Sequence, residues 1–168
     1  MGRLSRLLRH RWLDEHDTLR LIGADALARI ESRIRASELQ HSGEIRVCIE
    51  SSLPLAELWR DVSSRERALA LFGALRVWDT EANNGVLIYL LLADHAIEIV
   101  ADRGVARHVD PSHWHDIVEQ LRDDLRAGRH EAGLLRAVDA VHAVLLAHYP
   151  LAPGETSPNE LPDAVALR

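Results

Sequence analysis

A chain of 168 residues with 47% apolar side chains is sized for one compact domain whose core needs no cross-links. Its formal net charge of -6 gives no basic field for nucleic acid, and its single cysteine, Cys48, excludes an intrachain disulfide and a multi-cysteine metal cluster. Apart from histidine every basic side chain is arginine, which excludes lysine-dependent phosphate loops, Schiff-base sites and the kinase strand lysine together.

The opening MGRLSRLLRHRW has a charged start but neither an apolar stretch nor a small-residue cleavage site, so it does not read as a signal peptide. Arg6 also stands where N-terminal acylation requires Ser or Thr. Leu4, Leu7, Leu8 and Trp12 instead follow helical spacing, with Arg3, Arg6, Arg9 and Arg11 on the remaining surface. This predicts a basic amphipathic helix over residues 1–20, either docked on the domain or in peripheral contact with a membrane. No apolar run approaches the roughly 18 residues of a membrane span; Val86 to Ala93 is strand-sized. A soluble cytoplasmic protein is expected.

Residues 21–149 read as one α/β domain. A helix from Ala24 to Leu39 points Leu27, Ile30, Ile34 and the stem of Arg33 to one side, and Ser42 and Gly43 end it. In GEIRVCIESS, Ile45, Val47 and Ile49 alternate with Arg46, Cys48 and Glu50, which is strand periodicity. Pro54 opens the helical stretch LAELWRDV, and Ser63 with Glu66 forms a capping-box spacing before RALALFGALRVW. Such a helical crossover suits a parallel strand connection. GVLIYLLLA and AIEIVA then read as two strands joined by a two-residue turn at Asp94 and His95.

Asp110 as N-cap and Pro111 at the first helical position start a helix carrying Trp114, Ile117, Val118, Leu121 and Leu125 inward, stopped by Gly128. A last helix from His130 to His148 buries Leu134, Leu135, Val138, Val141 and Leu145. From Pro150 the sequence is Pro-rich and aperiodic, which predicts a flexible or surface-draped tail over 150–168. The sum is a three-layer α/β/α sandwich, one small mixed sheet with helices on both faces.

With Asp94 and His95 as the turn, Gly85 faces Gly104 and Val86 faces Arg103. A right-handed crossover makes the strand from Glu44 parallel to that from Gly85, so both begin at the same edge. One rim then gathers Glu44, Asp79, Glu81, Asn83, Asn84 and Asp102. Converging carboxylates repel, and a hard oxygen-liganded cation such as calcium relieves the repulsion; the alternative is that these residues only make turns and caps. Cys48 lacks the glycine loop and arginine of a cysteine phosphatase, and reads as an inert strand thiol. His113 and His115 point to opposite sides of one helix and cannot share an ion. Trp59, Trp78 and Trp114 read as core anchors rather than an exposed binding face, since they stand beside apolar neighbours. Arg103 is the rim cation placed to meet a phosphate, or to pair with Asp79 or Asp102.

HSGEIRV, TEANNGVLIYLLLADHAIEIVADRGV, the tryptophan of the following helix and NELPD together resemble the TPM domain family, over roughly residues 22 to 162. That family includes thylakoid-lumen phosphatase-like and photosystem II repair proteins and short bacterial members. The resemblance implies a helix-flanked mixed sheet, divalent-cation binding at acidic loop positions in some members and acid phosphatase activity in others. Residue by residue it extends to Gly43 and Glu44, to Asn84 and Gly85, and to Asp102 with Gly104; Asp79 and Glu81 come from the rim geometry. Many relatives are exported and membrane-anchored, and this chain is expected to depart from them, since neither a signal peptide nor a C-terminal span is read in its sequence. Three functions follow as expectations: an accessory module that binds calcium and a protein partner, a metal-dependent phosphoester hydrolase with Arg103 on the phosphate, or a structural domain without a ligand.

Overall fold

The computed structural model of the chain describes residues 6–8, 10 and 15–168. Four strands form one mixed sheet in the order β3-β2-β1-β4, with β1 at Glu44–Glu50, β2 at Gly85–Leu91, β3 at Ala96–Ala101 and β4 at Ala166–Leu167. The crossover from β1 to β2 carries two helices, α3 (Leu55–Trp59) and α4 (Ser64–Ala74), and the two strands are parallel with Glu44 opposite Gly85, as expected. Both halves of the capping box form, Ser63 accepting from the Glu66 backbone while the Glu66 carboxylate accepts from the Ser63 backbone.

Alternation along the strands divides the core in two. Ile45, Val47 and Ile49 with Val86, Ile88 and Leu90 face one layer, made by α1 (Glu15–Ile22), α2 (Ala24–Glu38), α6 (Pro111–Arg126) and α7 (His130–His148). Cys48, Leu87, Tyr89 and Leu91 face the other, where Leu58, Ala68 and Leu71 of α3 and α4 cover them. Every residue of β1 and β2 is buried; β2 accordingly reads as a near-continuous apolar run, whereas β1 keeps its alternation because Glu44, Arg46 and Glu50 are buried with it. Glu44, Arg46 and Glu50 of β1 also point to this second layer, and are 2%, 8% and 2% exposed.

The hairpin differs from the expected one. Its turn is four residues, Leu92 to His95, and Val86 faces Ala101, not Arg103. Lacking glycine, the sequence adopts a wider turn in which His95 alone takes a positive φ of 51°. The slip is by two residues, so every side chain keeps its face. Asp102 then caps a short helix, α5 (Arg103–Ala106), where an uninterrupted return had been expected.

The tail is draped on the domain rather than flexible, and it adds a strand that its sequence does not suggest. Residues 159–168 fold back on the domain as the edge of the sheet, with Cys48 opposite Ala166 and Ile49 opposite Leu167 in parallel. Glu44 accepts from the Glu160 and Leu161 backbones at 3.0 and 3.3 Å, and Glu31 accepts from the Val165 backbone at 2.9 Å. The Arg46 guanidinium donates to the carbonyls of Pro162 and Ala164. These partners lie in β1 and α2, so the tail's own composition does not announce them.

Trp59 and Trp78 are 69% and 51% exposed, contrary to their expected place in the core. Only Leu58 is buried in α3, and the left-handed Arg76 turns the chain before Trp78; Trp114 alone packs on the core. Of the N-terminal helix, Arg3, Leu4, Arg9, Arg11 and Trp12 lie outside the described residues. Arg6 donates to Asp94 at 2.9 Å and to the Val62 carbonyl at 2.8 Å, and the His10 ring accepts from the Leu53 backbone at 2.9 Å. These contacts hold the segment on the domain, and the boundary expected after residue 20 falls inside α1.

Two titratable groups shifted by burial, His41 and Glu38, predict the pH dependence of folding. His41 is fully buried, its Nδ1 3.0 Å from the Gly43 carbonyl and its Nε2 2.8 Å from Ser37 Oγ, and burial lowers its pKa from 6.5 to about 4. Burial raises the Glu38 carboxyl from 4.5 to about 8, reinforced by nearby Glu44 and Asp163. The unfolded chain binds the His41 proton first, so that group removes stability as pH falls from 6.5 to 4. The folded chain holds the Glu38 proton longer, so that group removes stability as pH rises from 4.5 to 8. Each acts with a slope of at most about 1.4 kcal/mol per pH unit. Urea unfolding across pH is expected to show stability declining from about 6.5 to 8, and Glu38→Gln is expected to flatten that decline; an unchanged decline in the variant would reject the assignment.

Candidate functional site

The polar ends of β2 and β3 meet as the sequence suggests, through a shifted register. The Asp102 backbone donates to the Gly85 carbonyl and the Gly104 backbone to the Asn83 carbonyl, both at 2.9 Å. Glycine is required at two of these points. A Cβ on Gly85 would lie 2.0 Å from the Val77 carbonyl oxygen, and one on Gly104 would lie 2.4 Å from that of Asn83. At Gly43 the atoms nearest an added Cβ belong to the Leu145 side chain rather than to backbone.

Asn84 is fully buried at the mouth of β2. Its amide donates to the Ser42 carbonyl at 3.0 Å and to Ser42 Oγ at 3.3 Å, and its backbone donates to Thr80 Oγ1 at 3.0 Å. Its Oδ1 is buried without a hydrogen-bond partner. Asp102 is 6% exposed; its Oδ1 accepts from the Arg103 backbone at 2.6 Å, while Oδ2 is likewise buried and unpartnered. Such atoms are uncommon in folded proteins, because a buried acceptor without a donor costs about 1–3 kcal/mol.

The remaining predicted residues separate from this pair. Glu44 is 2% exposed and engaged by the tail, its pKa raised by burial against the opposing pull of the Glu160 and Leu161 amides. Asp79 is exposed and pairs with Arg76 at 3.1 Å. Glu81 is exposed, and its backbone donates to Glu160 Oε2 at 2.9 Å. Asn83 holds the loop in a left-handed conformation, with φ 52°. Arg103 is exposed at the start of α5, its amide rather than its side chain meeting Asp102.

Sequence reasoning missed four residues around the rim: Ser42, Thr80, Tyr149 and Glu160. Tyr149 brings its hydroxyl so close to Gly104 that a Cβ there would lie 2.8 Å from it, and Asp102 contributes to the raised pKa of that phenol, after burial. Thr80, four residues before Asn84, is the one whose spacing carried a local signal, a hydroxyl placed to accept within a turn. Among the described residues no group of three His, Cys, Asp or Glu is arranged to hold a metal ion. Cys48 is fully buried, and burial pushes its thiol up to about 11, away from the reactive thiolate. Among the described residues no helix is long and apolar enough to cross a membrane.

The BA42 protein from the psychrophilic bacterium Bizionia argentinensis has a similar structure, with a TM-score of 0.74 and 26% identity over 86% of this chain and 94% of that one. The N-terminal domain of a protein from P. gingivalis shares the fold, with a TM-score of 0.64 and 23% identity over 79% of this chain and 83% of that one. No curated protein matches the chain. A family model for the TPM domain matches residues 16–144, spanning every strand but β4 and the whole rim apart from Tyr149 and Glu160. The chain belongs to the TPM domain family.

Proposed function

We propose that this TPM domain is an accessory module that binds a divalent cation, calcium foremost, on the rim between the loop before β2 and the start of α5. The observation that carries the reading is the pair of buried oxygens without donors, Asn84 Oδ1 and Asp102 Oδ2. Both are hard oxygen ligands, and a hard cation is the partner that satisfies carboxylate and amide oxygens without a proton. Asp102 supplies the charge and Asn84 a neutral ligand. Asp79 and Glu81 form the exposed outer flank of the loop, and Glu44, held by the tail, acts at most on the field around the ion. Arg103, exposed next to Asp102, is the group available to an anionic feature of a protein partner. When bound, such an ion would supply a fixed positive charge held by Asp102 and Asn84.

With so few charged ligands, affinity is expected in the range of about 10⁻⁴–10⁻³ M. Calcium titration is expected to shift the amide resonances of residues 79–84 and 102–104 saturably. Asp102→Asn, which retains a capping side chain, is expected to weaken that response at least tenfold, whereas Glu44→Gln leaves it in place. Unmoved resonances would leave a structural domain without a ligand. Phosphomonoester turnover that survives purification and vanishes in Asp102→Asn would replace the module by a metal-dependent hydrolase.

A further inference from the structure

At the far end of the sheet from the rim lies a cavity of about 1000 Å³, between the carboxyl end of β2, the start of β3, and helices α1 and α6. It is the upper end of the size range of small-molecule sites, about 300–1,000 Å³. Its walls are aliphatic. Leu90 and Ile97 are buried at 1% and 4% exposure, and Leu92 and Leu125 are partly buried. Leu21 of α1 lines it too, although 45% exposed.

Its mouth is cationic. Arg20, Arg122 and Arg126 line it, with His95 and His130 beside them. The acids on the lining are Asp17 and Asp94; the first lies 3.5 Å from Arg20, and the second receives Arg6 and lies 3.1 Å from His10. Among the described residues the other two arginines pair with acids one turn earlier on α6, Arg122 with Glu119 and Arg126 with Asp123. Arg126 and Asp123 are 70% and 72% exposed, so that pair is weak and readily exchanged for an incoming anion. Two guanidiniums one turn apart match a carboxylate as a bidentate donor set.

We infer that this cavity binds a free long-chain carboxylate, its alkyl chain along Leu90, Ile97 and Leu125 and its head group on Arg122 and Arg126. An aliphatic wall alone would accept any apolar molecule; the arginine pair selects an anion and sets it at the open end. The site is separate from the cation rim and independent of the reading given for it.

Dodecanoate, kept below its micelle concentration, is the probe. Calorimetry is expected to give saturable one-to-one binding, with amide shifts at residues 90–97 and 121–126. Each methylene removed is expected to weaken binding about fourfold, so octanoate should bind at least tenfold more weakly. The double charge reversal Arg122→Glu with Arg126→Glu, at the mouth and outside the core, is expected to reduce affinity at least tenfold. Leu21→Trp, which fills the cavity from its exposed side, is expected to abolish binding with the far-ultraviolet dichroism unchanged. Dodecyltrimethylammonium is expected not to compete. The inference is overturned by absence of saturable binding, by equal binding of the cationic amphiphile, by shifts confined to the exposed faces around Trp59 or Trp78, or by chemical-shift changes seen only with phosphatidylglycerol vesicles.

Discussion

Arg67→Met is expected to lower the free energy of unfolding by about 3–5 kcal/mol, the cost of leaving a buried charge without its partner. Arg67 donates to both oxygens of Glu50, at 2.5 and 2.9 Å, and to Glu57 at 2.6 Å. Glu50 is 2% exposed, so its carboxylate has no water to fall back on, and its remaining donor is the Tyr89 hydroxyl at 2.7 Å. That phenol lies far above its ordinary pKa, raised first by burial and then by its bond to Glu50, so it stays a proton donor at every accessible pH. Urea denaturation gives the measurement. A second chain, Arg67→Met with Glu50→Leu, separates loss of an ion pair from loss of packing: removing both charges is expected to recover most of the deficit. Equal destabilisation of single and double variants would show that the aliphatic stem of Arg67 carries the effect.

Removal of residues 159–168 is expected to bring the domain to the edge of unfolding, a loss of at least about 5 kcal/mol against a typical total of about 5–15. The reasoning rests on charge-assisted bonds worth about 1.5–3 kcal/mol each. Glu44 would lose the Glu160 and Leu161 amides, and Arg46 the Pro162 and Ala164 carbonyls. Both side chains are nearly sealed from solvent in the full chain, and Leu161, 6% exposed, leaves the second core with them. Thermal unfolding followed by circular dichroism is the test. A truncated chain that melts within a few degrees of the full one would show that these bonds add nothing net. Adding Glu44→Gln and Arg46→Leu to the truncated chain is expected to restore part of the loss.

Most elements are legible because local rules agree with one another. Ser63 with Glu66 and Asp110 with Pro111 mark helix starts that the structure reproduces, and the alternation of Ile45, Val47 and Ile49 assigns the correct face of β1. The hairpin register is not legible at single-residue precision, because a turn without glycine has several closures of similar cost. Its even slip explains why the rim still assembles from residues 83–85 and 102–104. The tail is illegible for a different reason. It is held by side chains of α2 and β1 acting on its backbone, and backbone acceptors and donors have no sequence signature. At the candidate site, Asn84 and Asp102 are visible in sequence as loop polar residues. What distinguishes them from ordinary turn formers is the sealing of one oxygen on each, a property of packing around the loop. The exposed faces of Trp59 and Trp78 teach the same lesson in reverse, since residue type alone assigns them to the interior.

The two-residue strand at the end of the chain also decides how the sheet meets other molecules while it forms. β1 reaches β2 across a short crossover, but its other side waits for a segment whose contacts span 118 positions, and long closures carry the larger entropy cost. Until that segment is seated, β1 has open amides and carbonyls along one side, between alternating apolar and charged side chains, and an open strand edge is a template for another chain. Seated there, the terminal strand works as a stopper: it covers backbone at Cys48 and Ile49 that would otherwise be an open edge for another chain.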